Sequence, residues 1–191
     1  MKIGLYFGSF NPVHHGHLII ANYVLQNSDL NQVWFVVSPQ NPLKPTAGLL
    51  NEYHRLFLVN AAIEGEINLK ASDIEFKLPK PSYTIDTLTY LAEKYPQHEF
   101  AVIMGSDSFQ NLPQWKNHKL ILANYPIYVY QRSGFQNLPE YPGSRITLLK
   151  APLLQISATH IRRNIKEGKS IRYMVPEKVR EEIEQNRYYH G

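Results

Sequence analysis

The chain has 191 residues, 43% of them hydrophobic and 19% charged, which is an ordinary composition for a globular protein with one sizeable core. Its 20 basic and 16 acidic residues give a formal charge of +4, an excess that suits anionic metabolites and is too small to argue for nucleic acid by itself. The absence of cysteine excludes disulfides, thiolate catalysis and cysteine-ligated zinc, and no apolar run approaches the ~18 residues that a membrane helix requires.

The first residues predict a strand rather than a targeting segment. Residues 3–7 form an apolar run, which Gly8 and the pair Asn11-Pro12 interrupt before the apolar core of a signal peptide could form. We therefore expect a cytoplasmic protein without a membrane-inserted segment.

Strands and helices are predicted to alternate along the rest of the chain. Apolar runs rich in β-branched and aromatic residues predict strands at residues 32–38, 67–76, 100–104, 126–130 and 145–149. Helices are predicted after residue 17, over 51–64, from about 84 to 93 with Ser82 as the N-cap, and from 157 onward, where Pro176 opens the last helix at its N1 position. Spacing predicts the inward faces as Leu18, Ala21, Asn22 and Leu25 in the first helix, Leu56, Val59, Asn60 and Ile63 in the second, and Ile85, Leu88 and Leu91 in the third.

This alternation predicts an α/β fold, with a Rossmann-like, doubly wound and mostly parallel sheet built from right-handed βαβ units. One domain is expected over residues 1–191, with a core at about 1–150 and a small helical C-terminal part at about 151–191. Ligands of such sheets bind beyond the carboxyl ends of the strands, where the strand order reverses. The loops after the first, second and fourth strands are therefore expected to carry the site.

Residues 8–17, Gly-Ser-Phe-Asn-Pro-Val-His-His-Gly-His, connect the first strand to the first helix through a glycine-containing turn. Such a turn leaves backbone N–H groups and the positive end of the helix dipole facing outward, where a phosphate can bind. The imidazoles of His14 and His17, at i and i+3, add polar donors for a charged oxygen. A zinc ion shared by the two imidazoles, or simply two surface histidines, are the alternatives.

Two segments carry a family resemblance. Residues 8–17 resemble the first signature of the nucleotidylyltransferase superfamily, with its histidine-x-glycine-histidine core. Residues 156–162, Ile-Ser-Ala-Thr-His-Ile-Arg, resemble the second, isoleucine-serine-x-threonine-x-x-arginine. Similarity to the bacterial nicotinate-nucleotide adenylyltransferases extends over essentially the whole chain and is carried further by residues 82–88, 105–108, Trp115 and 173–189.

The resemblance implies transfer of AMP from ATP to nicotinate mononucleotide, which gives nicotinate adenine dinucleotide and pyrophosphate in NAD biosynthesis. In that reaction a substrate phosphate attacks the α-phosphorus in line, and positioning and charge stabilisation supply most of the acceleration. Mg²⁺ would accompany ATP, and no metal cage of protein side chains is expected. Nicotinamide mononucleotide or phosphopantetheine as the acceptor, and a non-catalytic nucleic-acid-binding module, are the alternatives. The sequence does not decide the oligomeric state and leaves a homo-oligomer open.

The resemblance also implies roles for individual residues. His14, His17 and Lys44 are expected at the reacting phosphates, with His17 stabilising the α-phosphate and Lys44 acting as a mobile point charge. The expected ATP-binding residues are Gly8, Ser9, Phe10, His14, Gly16, His17, Gly105, Asp107, Ile156, Ser157, Thr159 and Arg162. The expected mononucleotide-binding residues are Lys44, Tyr83, Thr84, Trp115 and Arg132.

Some of these residues also have a structural interpretation. Asp107 can accept hydrogen bonds from a ribose or cap a helix, and Trp115 can stack on a pyridine ring or fill the core. Ser157 is expected to cap its helix in either case. Arg163 competes with Arg162 for the phosphates.

Three positions depart from the commoner family pattern. Ser9 and Asn11 stand where threonine and aspartate are frequent, and they keep a hydroxyl and an acceptor, so the turn is expected to survive. Ala158 stands where serine is frequent and removes one hydroxyl that could contact phosphate. Arg55 could pair with Glu52 on its own helix and is therefore left out of the catalytic set.

Overall fold

The structure, a computed structural model, describes residues 1–42, 47–132, 138–152 and 154–190. Within them lie the strands β1 (Lys2–Gly8), β2 (Gln32–Val37), β3 (Leu69–Ser72), β4 (Glu99–Gly105), β5 (Ile127–Tyr130) and β6 (Ile146–Leu149). They form one parallel sheet in the order β3-β2-β1-β4-β5-β6. The order reverses between β1 and β4, which confirms the predicted Rossmann-like, doubly wound α/β fold.

Helices cover both faces of this sheet. They are α1 (His15–Gln26), α2 (Glu52–Ala62), α3 (Thr84–Lys94), α4 (Ser106–Gln110), α5 (His118–Asn124), α6 (Ala158–Lys166) and α7 (Glu177–Gln185), with 3-10 helices at Ile74–Lys77 and Leu112–Gln114. One apolar core includes buried residues of α1, α2, α6 and α7, and the other includes buried residues of α3, α4 and α5. No helix in the described ranges is long and apolar enough to cross a membrane.

The prediction of a strand over residues 67–76 was wrong at both ends. β3 is confined to Leu69–Ser72, and Ile67 is 82% exposed before it begins. After β3 the N–H of Phe76 donates to the carbonyl of Asp73 over 2.9 Å and closes the 3-10 helix that buries Ile74. An apolar residue thus continues the pattern of the strand although the backbone has already turned away from the sheet.

The inward faces of the first two helices differ from the prediction, whereas that of α3 is confirmed. The residues buried in α1 are Gly16, Ile20, Ala21 and Val24, while Leu18 and Leu25 are half-buried and Asn22 is exposed. Those buried in α2 are Arg55, Leu58 and Val59, followed by Ile63, while Leu56 is half-buried and Asn60 exposed. Apolar residues occur on more than one face of both helices, so spacing alone does not determine which face meets the sheet.

Two predicted helix starts also differ. Ser82 does not cap α3, because Tyr83 occupies the N-cap position and the Ser82 hydroxyl donates to Glu75 over 2.7 Å. Pro176 lies at the N-cap of α7 rather than at N1. Ser157, by contrast, is the N-cap of α6 as predicted, and its hydroxyl accepts the His160 N–H over 3.1 Å.

Candidate functional site

A cavity of about 680 Å³ opens at the carboxyl ends of β1 and β4, where the strand order reverses. It brings together members of both predicted sets: Gly8, Ser9, Gly105 and Asp107 from the ATP set, and Tyr83, Thr84 and Trp115 from the mononucleotide set. The other described members lie outside this lining: Phe10, His14, Gly16, His17, Ile156, Ser157, Thr159, Arg162 and Arg132. Lys44 lies outside the described residues. We call residues 8–17 the histidine turn, and Tyr83, Thr84 and Trp115 the aromatic wall.

The histidine turn is packed closely around Phe10. This residue has a φ of 44° and is 2% exposed, so its ring fills the space beneath the turn. A Cβ on Gly8 would lie only 2.8 Å from that ring, which explains why the strand must end in glycine. The Phe10 ring also packs edge-on against the His17 imidazole, with 5.1 Å between the ring centroids. The position of His17 is therefore set by the core beneath it.

His14 and His17 form a stacked pair at the start of α1, with ring centroids 3.7 Å apart. The backbone N–H of His14 donates to Nδ1 of His17 over 3.2 Å. Because Nδ1 of His17 accepts, this geometry assigns the ring proton to Nε2, which makes Nε2 a donor. A Cβ on Gly16 would approach Cε1 and Nδ1 of His14 to 3.0 Å, so glycine at this position leaves room for the stack.

His14 is uncharged at neutral pH. Its side chain is almost completely buried, and burial together with the nearby charge of Arg132 lowers the pKa of the imidazole to about 4. Its Nδ1 is buried and has no hydrogen-bond partner among the described residues. A neutral imidazole can donate from its protonated ring nitrogen without carrying a fixed charge.

A zinc site shared by His14 and His17 would need a third ligand, and the described residues offer none. Within residues 1–42, 47–132, 138–152 and 154–190, no group of three or more His, Asp or Glu side chains could hold a metal ion. The stacked imidazoles of His14 and His17 are therefore better suited to hydrogen bonds than to shared metal ligation.

The second sequence signature lies directly against the first. Arg162 donates through one guanidinium nitrogen to the carbonyl of Asn11 over 2.7 Å and through the other to the Thr159 hydroxyl over 3.4 Å. The carbonyl of Ile156 is 3.9 Å from the place that a Cβ on Gly16 would occupy. Arg163 is exposed and contacts His160 over 2.9 Å instead. Arg162 is thus the arginine that faces the histidine turn.

Arg55, which the sequence analysis left outside the site, is fully buried beneath it. Glu52, the partner that the sequence allowed for Arg55, binds Lys80 over 2.6 Å instead. The Arg55 guanidinium instead donates to four backbone carbonyls, those of Ser9 (2.6 Å), Ser38 (2.8 Å), Pro39 (3.2 Å) and Leu50 (2.7 Å). Burial lowers the pKa of Arg55 from its ordinary value.

Arg55 therefore ties the histidine turn to the loop after β2 and to the residue before the N-cap of α2. A single cation satisfies carbonyls from three separate segments, none of which offers a carboxylate partner. One sign of this role is present in the sequence: Arg55 lies one turn before Leu58 and Val59, so all three share the buried face of α2.

The aromatic wall is more open than the histidine turn. Trp115 follows the 3-10 helix Leu112–Gln114, and its half-buried indole packs on the core beneath α3 while also lining the cavity. The Lys116 ammonium lies 4.8 Å from the Tyr83 ring centroid and is paired with Asp86 over 2.8 Å. Trp115 thus packs against the core and also borders the cavity, and its stacking on a pyridine ring stays a prediction.

Asp107 and Arg132, expected to contact different substrates, contact each other over 3.1 Å. Asp107 does not cap α4, whose N-cap is Gly105. The Arg132 guanidinium also lies 5.6 Å from the Tyr130 ring, and its backbone N–H donates to the Ser106 hydroxyl over 2.8 Å. The pair thus places Asp107, which lines the cavity, beside a cation that lies outside the lining.

Comparisons with known proteins agree with this architecture. Residues 5–164 match the model of the cytidylyltransferase-like family. A probable nicotinate-nucleotide adenylyltransferase of Cytophaga hutchinsonii is 53% identical over 189 residues, which cover 99% of this chain and 98% of the relative. Another, of Flavobacterium psychrophilum, is 51% identical over 191 residues, covering 99% of each chain.

Solved structures share the fold. The nicotinic acid mononucleotide adenylyltransferase of Plasmodium falciparum, complexed with NaAD, superposes with a TM-score of 0.80 at 20% identity and covers 98% of this chain and 97% of its own. A putative nicotinate-nucleotide adenylyltransferase from Vibrio parahaemolyticus gives 0.72 at 22% identity, with coverages of 99% and 95%. The family model and the identities above 50% over nearly full length show that the chain belongs to the cytidylyltransferase-like family and, within it, to the nicotinate-nucleotide adenylyltransferases.

Proposed function

We propose that the protein transfers AMP from ATP to nicotinate mononucleotide and releases pyrophosphate, in keeping with the names of its relatives. The observation that carries the proposal is the cavity between the carboxyl ends of β1 and β4. It is lined on one side by Gly8 and Ser9, the first residues of the histidine turn, and on the other by the aromatic wall. Such a cavity can hold two nucleotides with their phosphates facing each other. The solved relative from Plasmodium falciparum carries NaAD, a ligand in keeping with that arrangement.

In this proposal a phosphate oxygen of the mononucleotide attacks the α-phosphorus of ATP in line. The new P–O bond forms as the bond to the oxygen between the α- and β-phosphates breaks, and that oxygen leaves with pyrophosphate. His17 donates from Nε2 to an α-phosphate oxygen, where negative charge develops in the transition state. His14 stays neutral beside it and donates a second hydrogen bond.

The start of α6 holds the other end of the triphosphate. Ser157 and Thr159 supply hydroxyls and the first turn supplies backbone N–H groups, while Arg162 keeps the helix against the histidine turn. Lys44 is proposed to reach the reacting phosphates from the loop after β2.

Mg²⁺ fits this site as a companion of ATP. The described residues offer no cluster of three acidic or histidine side chains for it, and Mg²⁺ commonly binds through substrate phosphates with few protein ligands. Held by the triphosphate in that way, Mg²⁺ would supply positive charge against the phosphate oxygens and the leaving pyrophosphate.

The aromatic wall favours a pyridine ring that carries a carboxylate over one that carries an amide. Trp115 offers an indole face for stacking, and Thr84 begins α3, whose dipole places partial positive charge at the cavity. A nicotinate carboxylate gains from that charge, whereas a nicotinamide gains less. Arg132 and Asp107 are paired in the structure. We propose that they separate when the substrates bind, so that Arg132 contacts the mononucleotide phosphate and Asp107 accepts hydrogen bonds from the ribose of ATP.

The proposal is tested by incubating the protein with ATP, Mg²⁺ and one acceptor at a time: nicotinate mononucleotide, nicotinamide mononucleotide or phosphopantetheine. We expect rapid release of pyrophosphate with the first, slower release with the second and none with the third. Absence of release with both pyridine mononucleotides would contradict the proposal. Binding of labelled nucleic acid without any turnover would support the alternative of a binding module. We also propose that the protein acts in the cytoplasm.

A further inference from the structure

Glu75 is a buried carboxylate in the wall of the cavity. It belongs to the 3-10 helix Ile74–Lys77, is 2% exposed and lines the cavity close to the aromatic wall. Among the described residues no basic side chain forms an ion pair with it. A charge buried without a cation is costly, so its retention at this place calls for a role.

Three hydroxyl groups surround this carboxylate. Ser82 donates to Oε2 over 2.7 Å and Thr87 donates to Oε1 over 2.9 Å, and the Ser38 hydroxyl lies close enough to stabilise the anion and act to lower the pKa of Glu75. Burial raises the pKa of Glu75, and the three hydroxyl donors oppose that rise by stabilising the anion. Each donor comes from a different place: the end of β2, the residue before the α3 N-cap, and the first turn of α3.

The two bonds to Ser82 and Thr87 enclose the segment that contains Tyr83 and Thr84. Both ends of this segment are held by one side chain, so the start of α3 has a fixed direction relative to the cavity. The Thr87 hydroxyl in addition approaches the Tyr83 carbonyl to 3.3 Å, which holds the first turn of the helix closed.

Ser38 extends the connection to the opposite wall. Its backbone N–H donates to the Gly8 carbonyl over 2.9 Å, and its own carbonyl accepts from Arg55. Ser38 thus lies between the carboxylate behind the aromatic wall and the guanidinium beneath the histidine turn. Its backbone is held by Gly8 and Arg55 and does not depend on Glu75, so the histidine turn should keep its position when Glu75 is replaced.

From this geometry we infer that Glu75 is a positioning residue for the mononucleotide, acting through Ser82 and Thr87 on the aromatic wall. The inference rests on the proposed function for the identity of the substrate. Glu75 does not need to touch the reacting atoms. It fixes the backbone of Tyr83 and Thr84 and leaves the ATP side of the cavity to other residues.

Kinetics of Glu75→Gln test this role. The amide keeps the size of the side chain but replaces one accepting oxygen by a donor, so one hydroxyl can no longer donate to it and must turn to accept instead, and the charge that holds both hydroxyls is gone. We expect KM for nicotinate mononucleotide to rise about 10-fold and KM for ATP to change less than about 2-fold. Glu99→Gln is the matched control, because Glu99 is an exposed carboxylate paired with Arg145 at the opposite end of the sheet, and both KM values should stay unchanged.

A double-mutant cycle with Ser82→Ala shows whether the two residues act as one unit. Ser82→Ala should reproduce the selective rise in KM for the mononucleotide. In the double variant this KM should be no higher than in the more strongly affected single variant. Additive effects, or equal rises in KM for both substrates, would overturn the inference. If the wild-type protein itself releases no pyrophosphate with either pyridine mononucleotide, the proposed function is wrong, and hydrogen exchange still tests the role of Glu75.

Hydrogen exchange gives a readout that needs no substrate. In Glu75→Gln, or in Ser82→Ala should the first variant fold poorly, amides of residues 82–88 should exchange faster while those of residues 8–17 keep their protection. Unchanged exchange at residues 82–88 would overturn the inference whatever the activity of the protein.

Discussion

The histidine turn and the aromatic wall border one cavity but are built in different ways. Phe10 and His14 of the turn are almost completely buried, and the turn is held from below by Arg55 and from the side by Arg162. Tyr83 and Trp115 of the wall are only half-buried and face about 680 Å³ of open space. The turn is already in one arrangement before any ligand arrives, whereas the wall has room to adjust its side chains.

This difference matches the demands of the proposed reaction. In-line attack tolerates little displacement at the α-phosphorus, and errors of about 1 Å can reduce the rate on the order of 10²-fold. A pyridine ring stacked on an indole tolerates more, because stacking depends on the overlap of two faces. Substitutions in the turn should therefore reduce kcat, and substitutions in the wall should raise KM for the mononucleotide.

The largest effect is expected from His17→Ala. Loss of one donor to the charge that develops at the α-phosphate should reduce kcat about 10³-fold and leave KM for the mononucleotide within about 2-fold. Release of pyrophosphate measures both constants. The matched control is His15→Ala, which removes the neighbouring, half-buried imidazole and should retain turnover. Near-normal turnover of His17→Ala would remove this residue from the mechanism.

Arg55→Met should weaken the support beneath the turn. Four carbonyls lose their donor, so the free energy of unfolding in urea should fall by roughly 3 kcal/mol and kcat by about 10-fold. Arg55→Lys should recover part of both, since an ammonium can serve some of the carbonyls. Lys80→Met is the control, because its exposed pair with Glu52 is worth less than about 1 kcal/mol. A stable, fully active Arg55→Met protein would show that the turn does not need this support.

The buried His14 predicts a dependence of stability on pH. Its pKa is about 4 in the folded protein and should be near 6.5 in the unfolded chain, which therefore takes up a proton first as the pH falls. The free energy of unfolding should be unaffected by this group above pH 6.5 and should decline from there towards pH 4, by roughly 2 to 3 kcal/mol.

Urea unfolding at pH 7 and at pH 4.5 measures this decline, and His14→Asn should make it smaller by a similar amount. An NMR titration of the imidazole Cε1–H follows the group itself. A midpoint near 6.5 in the folded protein would mean that the ring is solvated and the turn looser than the structure shows.

Trp115→Ala tests the wall. Removing a stacking face should raise KM for the mononucleotide about 10- to 30-fold with little change in kcat, whereas Trp115→Phe should stay within about 3-fold. The other tryptophan gives a matched control: Trp34 packs edge-on against Tyr95 and Phe100, away from the cavity, so Trp34→Phe should leave both KM values unchanged. A fall in kcat without a change in KM would assign Trp115 to the chemistry instead.

The smallest effect is expected from Asn11→Asp. The Asn11 amide donates to the Gly48 carbonyl over 3.0 Å and its oxygen accepts the Leu50 N–H over 3.1 Å. Aspartate keeps the second bond and loses the first, so the free energy of unfolding should fall by about 1 kcal/mol and kcat should stay within about 3-fold. Greater stability of the variant would mean that the loop carrying Gly48 can rearrange around a carboxylate.

The sequence predicted those parts that depend on local periodicity or on a recognisable segment. The strands at the centre of the sheet are short apolar runs bounded by turn residues, and the inward face of α3 is clear because its other faces are polar. The two signatures, residues 8–17 and 156–162, were expected to face one triphosphate, and they are in contact in the structure. That contact comes from tertiary packing that no local pattern encodes.

Arg55 and Glu75 show why other parts of the site could not be predicted from the sequence. The acceptors of Arg55 are backbone carbonyls, which every residue possesses, so no side-chain pattern could identify them. Glu75 was included in a predicted strand, where an alternating charge would point to solvent, and the 3-10 turn after Asp73 buries it instead. Ser82 looked like a helix cap because the competing partner, Glu75, was not expected nearby.

The contact between Arg162 and Asn11 spans 151 residues of sequence, and the N–H of His15 donates to the carbonyl of Met174 over 3.0 Å. The histidine turn is therefore closed by segments that are synthesised much later than the turn itself. Long-range closures of this kind form slowly. A nascent chain that has the whole histidine turn but not yet residues 156–174 should hold this turn in a looser form, so binding of ATP to such a chain should be weaker.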